Sequence, residues 1–140
     1  MDISYLITPV LTWLVVGPIK FLINSARQRR WAFNLVGNGG FPSNHSAVVT
    51  SMATLIALRE GMDNPAFGVA VTLAFIVMID ANSLRQHVGR QAAAINRQAA
   101  GGEGHTRLRE RMGHTLVEIG GGICTGMAMG FALFHLFDQF

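Results

Sequence analysis

The 140-residue sequence contains little charge: Asp, Glu, Lys and Arg make up 14% of it, against roughly 25% in an average soluble domain. Apolar residues reach 50%, so the composition is unusual in its shortage of charge rather than in an excess of apolar side chains. The single cysteine, Cys124, excludes an intrachain disulfide. The first residues carry an acid, Asp2, and no base, which is unlike a secretory signal peptide. The shortage of charge favours a protein that lies in a membrane.

Four apolar segments predict an all-α fold, a polytopic membrane helical bundle that forms one domain over residues 1–140. The segments cover residues 3–23, 45–58, 65–84 and 115–137. Three of them have about the 20 residues needed to span a hydrocarbon core, and the second is shorter. A further helix is expected over residues 83–98, followed by a glycine-rich break over residues 99–104. We therefore expect about four transmembrane helices and one helical loop.

The basic residues lie almost entirely at one end of these helices. Ten of the 11 Lys and Arg residues are at that end or in the two loops there, and only Arg59 is at the other. By the positive-inside rule, the loops over residues 24–44 and 85–113 face the cytoplasm and both termini lie outside. The net charge of +3 then describes a basic rim suited to anionic lipid head groups, and not a nucleic-acid surface.

Polar residues gather at the same end. His45 opens the second helix just after Ser43, where free backbone N–H groups and the helix dipole favour an anion such as phosphate. His114 and Glu118 are four residues apart and share one helix face. A carboxylate so placed accepts the proton of one imidazole nitrogen and leaves the other as a base or nucleophile.

Two further features concern the membrane helices themselves. Gly122, Gly126 and Gly130 continue the face of the fourth helix that begins at its histidine, and form a surface on which another helix can pack closely. This predicts that the His/Glu pair faces protein rather than lipid. Asp80 lies near the end of the third segment, where an acid is costly and indicates function unless it pairs with a base such as Arg85.

Each polar feature also has a structural interpretation. His45 taken alone is well explained as part of a helix cap, because Ser43 and Asn44 form a good capping segment. The pair of His114 and Glu118 is equally well explained by a hydrogen bond beside a glycine packing face. Two histidines, an acid and a basic cluster at one end of four helices together favour a shared phosphate site.

The blocks "PSNHSAVVTSMATLIALREG", "IDANSLRQHVGRQAAAIN" and "MGHTLVEIGGG" resemble the divergent branch of the type 2 phosphatidic acid phosphatase superfamily, which includes vanadium-dependent haloperoxidases. Lys20 and Arg27 match the superfamily's K-x6-R, and "PSNH" resembles P-S-G-H. "HTLVEIGG" resembles the end of S-R-x5-H-x3-D, with Glu118 for aspartate. The arginine of that motif falls on Leu108, one residue before Arg109. Arginines of the middle block are therefore the better candidates to complete a phosphate site.

The resemblance implies a metal-independent acid phosphatase, without a cofactor, that hydrolyses a lipid or polyprenyl phosphate monoester. His114 would form a phosphohistidine, Glu118 would orient it, and His45 would protonate the leaving group and then activate water. The expected phosphate ligands are Lys20, Arg27, Ser43, Asn44, Arg85 and Arg90, supported by Asp80 and Arg109. The expected location is the bacterial inner (plasma) membrane, with the site on the cytoplasmic side. The expected partners are the bilayer and an amphiphilic phosphate, and the glycine-rich face permits a homodimer.

The departures from the superfamily motifs leave a second function open. The protein would then be a non-catalytic membrane protein that binds or carries lipid phosphates. A haloperoxidase is disfavoured, because useful binding of vanadate favours a deep site in a soluble protein. Release of phosphate from lipid phosphates by the purified protein separates an enzyme from a carrier.

Overall fold

The computed structural model describes residues 3–29, 31, 40–99 and 106–138, and the regular structure in these residues is helical throughout. The five α-helices are α1 (Ser4–Gln28), α2 (Asn44–Glu60), α3 (Pro65–Ile79), α4 (Arg85–Gln98) and α5 (Leu116–Asp138). A π-helical turn, Asp80–Leu84, joins α3 to α4 without interruption. The predicted all-α bundle is confirmed. Most of the predicted break after α4, from residue 100, lies outside the described residues.

Within the described residues, three helical stretches are long and apolar enough to span a membrane: Ser4–Gln28, Pro65–Gln98 and Leu116–Asp138. The predicted number of about four is therefore one more than length and composition support. α2 has 17 residues, which corresponds to about 25 Å of helix, and it is also the least apolar of the four helices that traverse the bundle. It lies among the three spans and packs on each of them.

The ends of the helices show that the chain passes through the bundle in alternating directions. Ser43 caps the start of α2 and its backbone N–H donates to the Glu118 carbonyl in the first turn of α5, with an N···O distance of 2.9 Å. At the opposite end, the Tyr5 hydroxyl near the start of α1 donates to Glu60 Oε1 at 2.6 Å. Tyr5 and Glu60 line a small cavity there together with Asp138, the last residue of α5. The starts of α2 and α5 therefore lie together at one end of the bundle.

The close contact between α2 and α5 depends on the glycine face. A Cβ atom at Gly122 would lie 2.5 Å from the carbonyl oxygen of Ser43, and one at Gly126 would collide with the carbonyl oxygen of Ala47. A Cβ at Gly130, one turn further, would lie 2.6 Å from a side-chain carbon of α2. Because these side chains are absent, the two backbones come close together. The prediction that this face packs against another helix is confirmed.

α1 packs on α2 through small residues that carry hydroxyl groups. Ser4, Thr8 and Thr12 follow one another at intervals of four residues, and all three are fully buried. Thr12 Oγ1 donates to Ser51 Oγ of α2 at 2.9 Å. In a membrane, such bonds between helices satisfy polar groups that hydrocarbon cannot. They place α1 beside α2 and leave another face of α1 open.

Candidate functional site

The starts of α2 and α5 bring two histidines together. His45 is the second residue of α2, and His114 precedes the first residue of α5 by two positions. Their ring centroids are 6.2 Å apart and the ring planes meet at 61°. His45 is exposed, whereas the His114 residue is only 6% exposed. The two rings therefore differ in solvent exposure but lie side by side at the same end of the bundle.

The chain around His114 is held by three contacts with different helices. Its backbone N–H donates to the Ala81 carbonyl oxygen of the π-helical turn at 2.8 Å. Its carbonyl oxygen accepts from Gln86 Nε2 at 3.0 Å. Its ring Nδ1 lies 3.2 Å from Glu118 Oε2. Because an ionised carboxylate only accepts hydrogen bonds, this last contact places the ring proton on Nδ1 and leaves the lone pair on Nε2.

Glu118 also caps the start of α5. Its Oε2 accepts from the backbone N–H of Thr115 at 3.0 Å, and its own N–H donates to Thr115 Oγ1 at 3.3 Å. This reciprocal pair is a capping box, which satisfies two N–H groups that a helix start would otherwise leave without partners. One carboxylate oxygen therefore contacts both the helix start and the ring of His114. Glu118 has a clear structural role in addition to any catalytic one.

The surroundings of His114 disfavour its charged form. Burial lowers the pKa of His114 below its ordinary value of 6.5, and the positive charge of Lys20 lowers it further. The hydrogen bond that the His114 ring donates to Glu118 raises the pKa and is outweighed. The His114 imidazole is therefore neutral at pH 7, and its Nε2 lone pair is available to an electrophile.

A groove of about 990 Å³ opens beside the two histidines. It is polar near the histidines and apolar further along. The polar residues of its lining are Lys20, Asn24, Asn44, His45, Arg85, Arg109 and His114. Three of these carry a full positive charge, so this end of the groove favours an anion.

Arg85 is held at the groove by an ion pair. Its Nε donates to Asp80 Oδ2 at 2.7 Å, and the two side chains are 38% and 32% exposed. From the sequence, pairing with a base such as Arg85 was the structural role considered for Asp80. This pairing is confirmed. Both residues belong to the junction between α3 and α4, where the π-helical turn changes the direction of the side chains that follow.

Arg109 reaches the groove from the segment that precedes α5. Leu108, its neighbour in the chain, exchanges two hydrogen bonds with the side chain of Asn96 on α4: the backbone N–H donates to Oδ1 at 2.8 Å and the carbonyl accepts from Nδ2 at 2.8 Å. A Cβ at Gly89 would collide with the carbonyl oxygen of Glu110, which shows how closely the segment lies against α4. These contacts fix the backbone from which Arg109 projects.

Three of the residues expected to bind phosphate lie elsewhere. Ser43 is fully buried, and its Oγ accepts both from the Ser46 N–H at 3.3 Å and from the Ser46 hydroxyl at 3.0 Å. The guanidinium of Arg27 lies over the ring of Phe41, 5.3 Å from its centroid. Arg90 is exposed on α4. None of the three is among the groove-lining residues that the structure describes.

Two residues of the site were not anticipated from the sequence. Asn24 is buried at the polar end of the groove, one helical turn after Lys20. This spacing of four residues, which places both side chains on one helix face, is a signal that the sequence contains. Gln86 holds the carbonyl of His114, from which it is separated by 28 residues. No local pattern indicates such a contact, because it depends on how α4 folds back toward the start of α5.

The fold and the site define a class of protein: a helical membrane bundle with a histidine-bearing, basic cluster at one end. The sequence model described as the Divergent PAP2 family matches residues 1–129, and the chain belongs to this family. YuiD of Bacillus subtilis (strain 168), named an uncharacterized membrane protein, is 32% identical over 151 residues, which cover 96% of this chain and 94% of YuiD. No solved structure matches the chain significantly. The resemblance stated from the sequence motifs is confirmed at the level of the family.

Proposed function

We propose that the protein is an integral membrane phosphatase that hydrolyses a lipid or polyprenyl phosphate monoester through a phosphohistidine intermediate at the cytoplasmic side. The observation that carries the proposal is the pair of His45 and His114, with ring centroids 6.2 Å apart, at the basic end of a groove that is otherwise apolar. Membership of the Divergent PAP2 family supports this proposal. The two histidines supply the two groups that the reaction needs, a nucleophile and an acid.

Binding of the phosphate group rests on Lys20, Arg85 and Arg109, which bring three positive charges to the polar end of the groove. Cations that already point at the phosphoryl oxygens stabilise the charge that spreads over them in the transition state. Asn44 adds an amide group there, and its Oδ1 is buried without a hydrogen-bond partner within the described part of the chain. Ser43 contributes indirectly, because it fixes the start of α2 and thereby the position of His45.

In the first step, Nε2 of His114 attacks the phosphorus atom, and a P–N bond forms while the P–O bond to the lipid alcohol breaks. His45, in its protonated form, donates a proton to the departing alkoxide oxygen. Glu118 holds the Nδ1 proton of His114 and stabilises the ring as it becomes cationic. In the second step, neutral His45 removes a proton from water. The resulting hydroxide attacks phosphorus, the P–N bond breaks, and inorganic phosphate leaves.

The test is release of phosphate from a long-chain alkyl phosphate by the detergent-purified protein, with vanadate as inhibitor. His114→Ala should reduce hydrolysis to background, because it removes the nucleophile. His45→Ala should cost about a hundredfold to ten-thousandfold on the alkyl substrate. In kcat/KM, which reports only the steps up to departure of the alcohol, it should cost far less on an aryl phosphate, whose phenolate leaves without protonation. His87→Ala is the matched control, since His87 is exposed on α4 and does not line the groove.

The same data separate the proposal from its alternatives. Equal losses of kcat/KM on alkyl and aryl substrates in the His45 variant would return His45 to a structural role in the helix cap, since a lost cap costs about 1 kcal/mol of stability and affects all substrates alike. Full activity of the His114 variant would overturn the phosphatase mechanism. Saturable binding of the alkyl phosphate with no release of phosphate would support a carrier.

A further inference from the structure

The phosphate end occupies only part of the groove, and the remainder is lined by apolar side chains. On α1, the lining residues recur on one face from Pro9 to Asn24, and polar residues appear only from Lys20 onward. The rise of an α-helix places Pro9 about 16 Å from Lys20 along the axis. The groove therefore has a direction, from cationic at the histidines to hydrocarbon-like at Pro9.

α2 repeats the same change along its own axis. It lines the groove through Asn44 and His45, and then one turn later through Val48 and Val49. These four positions form one side of the helix, opposite the side that meets the glycines of α5. Because α1 and α2 run in opposite directions, their polar ends coincide and their apolar parts face the same stretch of groove.

The apolar part of the groove is open on the side away from α5. Val10, Trp13 and Leu14 line it from α1 and are 55%, 59% and 51% exposed. Val77 lines it from α3. α1 and α3 both pack on α2, so the width available between them is that of one face of α2. A space of this shape suits a single hydrocarbon chain that enters sideways from the membrane.

We propose that this apolar part binds one hydrocarbon chain of the phosphate monoester, with the chain running from the histidines toward Pro9. The identity of the head group rests on the proposed function, and the chain site itself rests on the shape and polarity of the groove. The substrate class is then an amphiphile whose phosphate and first stretch of chain are bound together. Gly17, midway along the groove, determines which chains fit.

Gly17 offers a direct way to narrow the groove. A Cβ atom at this position would have nothing within 4 Å, and Gly17 is one of the lining residues, so a larger side chain would project into the space that the chain needs. Gly68 on α3 is a matched control. A Cβ at Gly68 also meets nothing within 4 Å, and Gly68 does not line the groove. Both replacements remove a helix glycine and add the same side chain.

The first experiment compares kcat/KM for a long-chain alkyl phosphate with kcat/KM for a short aryl phosphate. Gly17→Leu should lower the ratio of the two by about tenfold or more, because a blocked apolar subsite discriminates against the chain that fills it. Gly68→Leu should leave the ratio as in the parent. An unchanged ratio in Gly17→Leu, with hydrolysis intact, would overturn the chain site and leave the proposed function standing.

The second experiment measures binding without turnover. In a Trp31→Phe protein, Trp13 is the remaining tryptophan, and a brominated chain bound beside it quenches its fluorescence. A brominated alkyl phosphate should quench saturably, and more tightly than the brominated alcohol of equal length. Gly17→Leu should weaken this saturable quenching and Gly68→Leu should not. The expected result without phosphate release would support the chain site and reject the phosphatase. Quenching that is equal for alcohol and phosphate and unchanged in Gly17→Leu would mean that bulk lipid fills the groove, and would overturn the inference.

Discussion

At the scale of single residues, the pKa of His114 depends first on burial and then on two neighbours that act in opposite directions. Lys20 lowers the pKa of His114 through its charge, and Glu118 raises it through a hydrogen bond. Burial acts in the same direction as Lys20 and is the largest influence. The neutral form of the ring is therefore favoured by its environment, and removal of either neighbour should move the pKa predictably.

We expect Lys20→Met to raise the pKa of His114 toward 6.5 and Glu118→Gln to lower it further. NMR titration of the His114 ring in detergent measures both shifts without any need for activity. Arg90→Met is the control, because Arg90 is exposed on α4 outside the groove and should leave the titration unchanged. An unchanged titration in Lys20→Met would contradict the placement of Lys20 beside the ring.

The lowered pKa of His114 also makes the free energy of unfolding depend on pH. The folded state holds His114 with a pKa below 6.5, so the unfolded state binds more protons as the pH falls past 6.5. The contribution of His114 to the free energy of unfolding therefore decreases as the pH falls from 6.5 to the folded pKa, and then levels off. Above pH 6.5 this contribution is complete, because the imidazole is neutral in both states.

At the scale of helices, the glycine face of α5 sets the distance to α2. We expect Gly126→Leu to lower the free energy of unfolding by about 1–3 kcal/mol or more. The reason is that its Cβ would collide with the carbonyl oxygen of Ala47 and lie 2.8 Å from Thr50 Cβ. Gly120→Leu on the same helix is the control, since a Cβ there meets nothing within 4 Å. Thermal unfolding in detergent measures the difference, and the control removes the gain in helix propensity common to both. Equal melting temperatures would show that α5 tolerates separation from α2.

Much of this level of structure could be predicted from the sequence. The apolar segment predicted over residues 65–84 begins where α3 begins in the structure, at Pro65. The structure adds the reason, since Asn64 caps the helix through its side chain and proline suits the first position. The α2 segment, predicted over residues 45–58, is Asn44–Glu60 in the structure. Local signals such as caps, prolines and apolar runs suffice for these boundaries.

The junction of α3 and α4 could not be predicted in the same way. The helix continues from Pro65 to Gln98 through a π-helical turn, and Ala81 in that turn accepts a hydrogen bond from His114. The position of Gln86 depends on the same long-range contact. Motifs identified the two histidines and Glu118, whereas the contacts that hold them come from residues distant in sequence. The same limit applies to Arg27 and Arg90, whose chemistry suits phosphate but which do not line the groove.

At the scale of the whole molecule, the one-sided distribution of basic residues predicts the orientation. We expect the turn between α2 and α3 to face outward and the segment before α5 to face the cytoplasm. In a Cys124→Ser background, a cysteine at Asp63 should react with an impermeant maleimide on intact cells, and one at Thr106 only after permeabilisation. Both positions are exposed in the structure, so access depends on sidedness alone. The reverse pattern would place the site at the outer surface.

The central position of α2 also affects how the protein is made. Most of the residues that α2 buries carry hydroxyl groups or are alanines, and it does not qualify as a span by length and composition. Transfer of such a segment from the translocon into lipid is poorly favoured by its own hydrophobicity. Its most extensive contacts are with α5, which follows α3 and α4 in the chain. During synthesis α2 therefore lacks its main partner until α5 has been made, and we expect its stable place in the membrane to depend on the later arrival of the glycine face of α5.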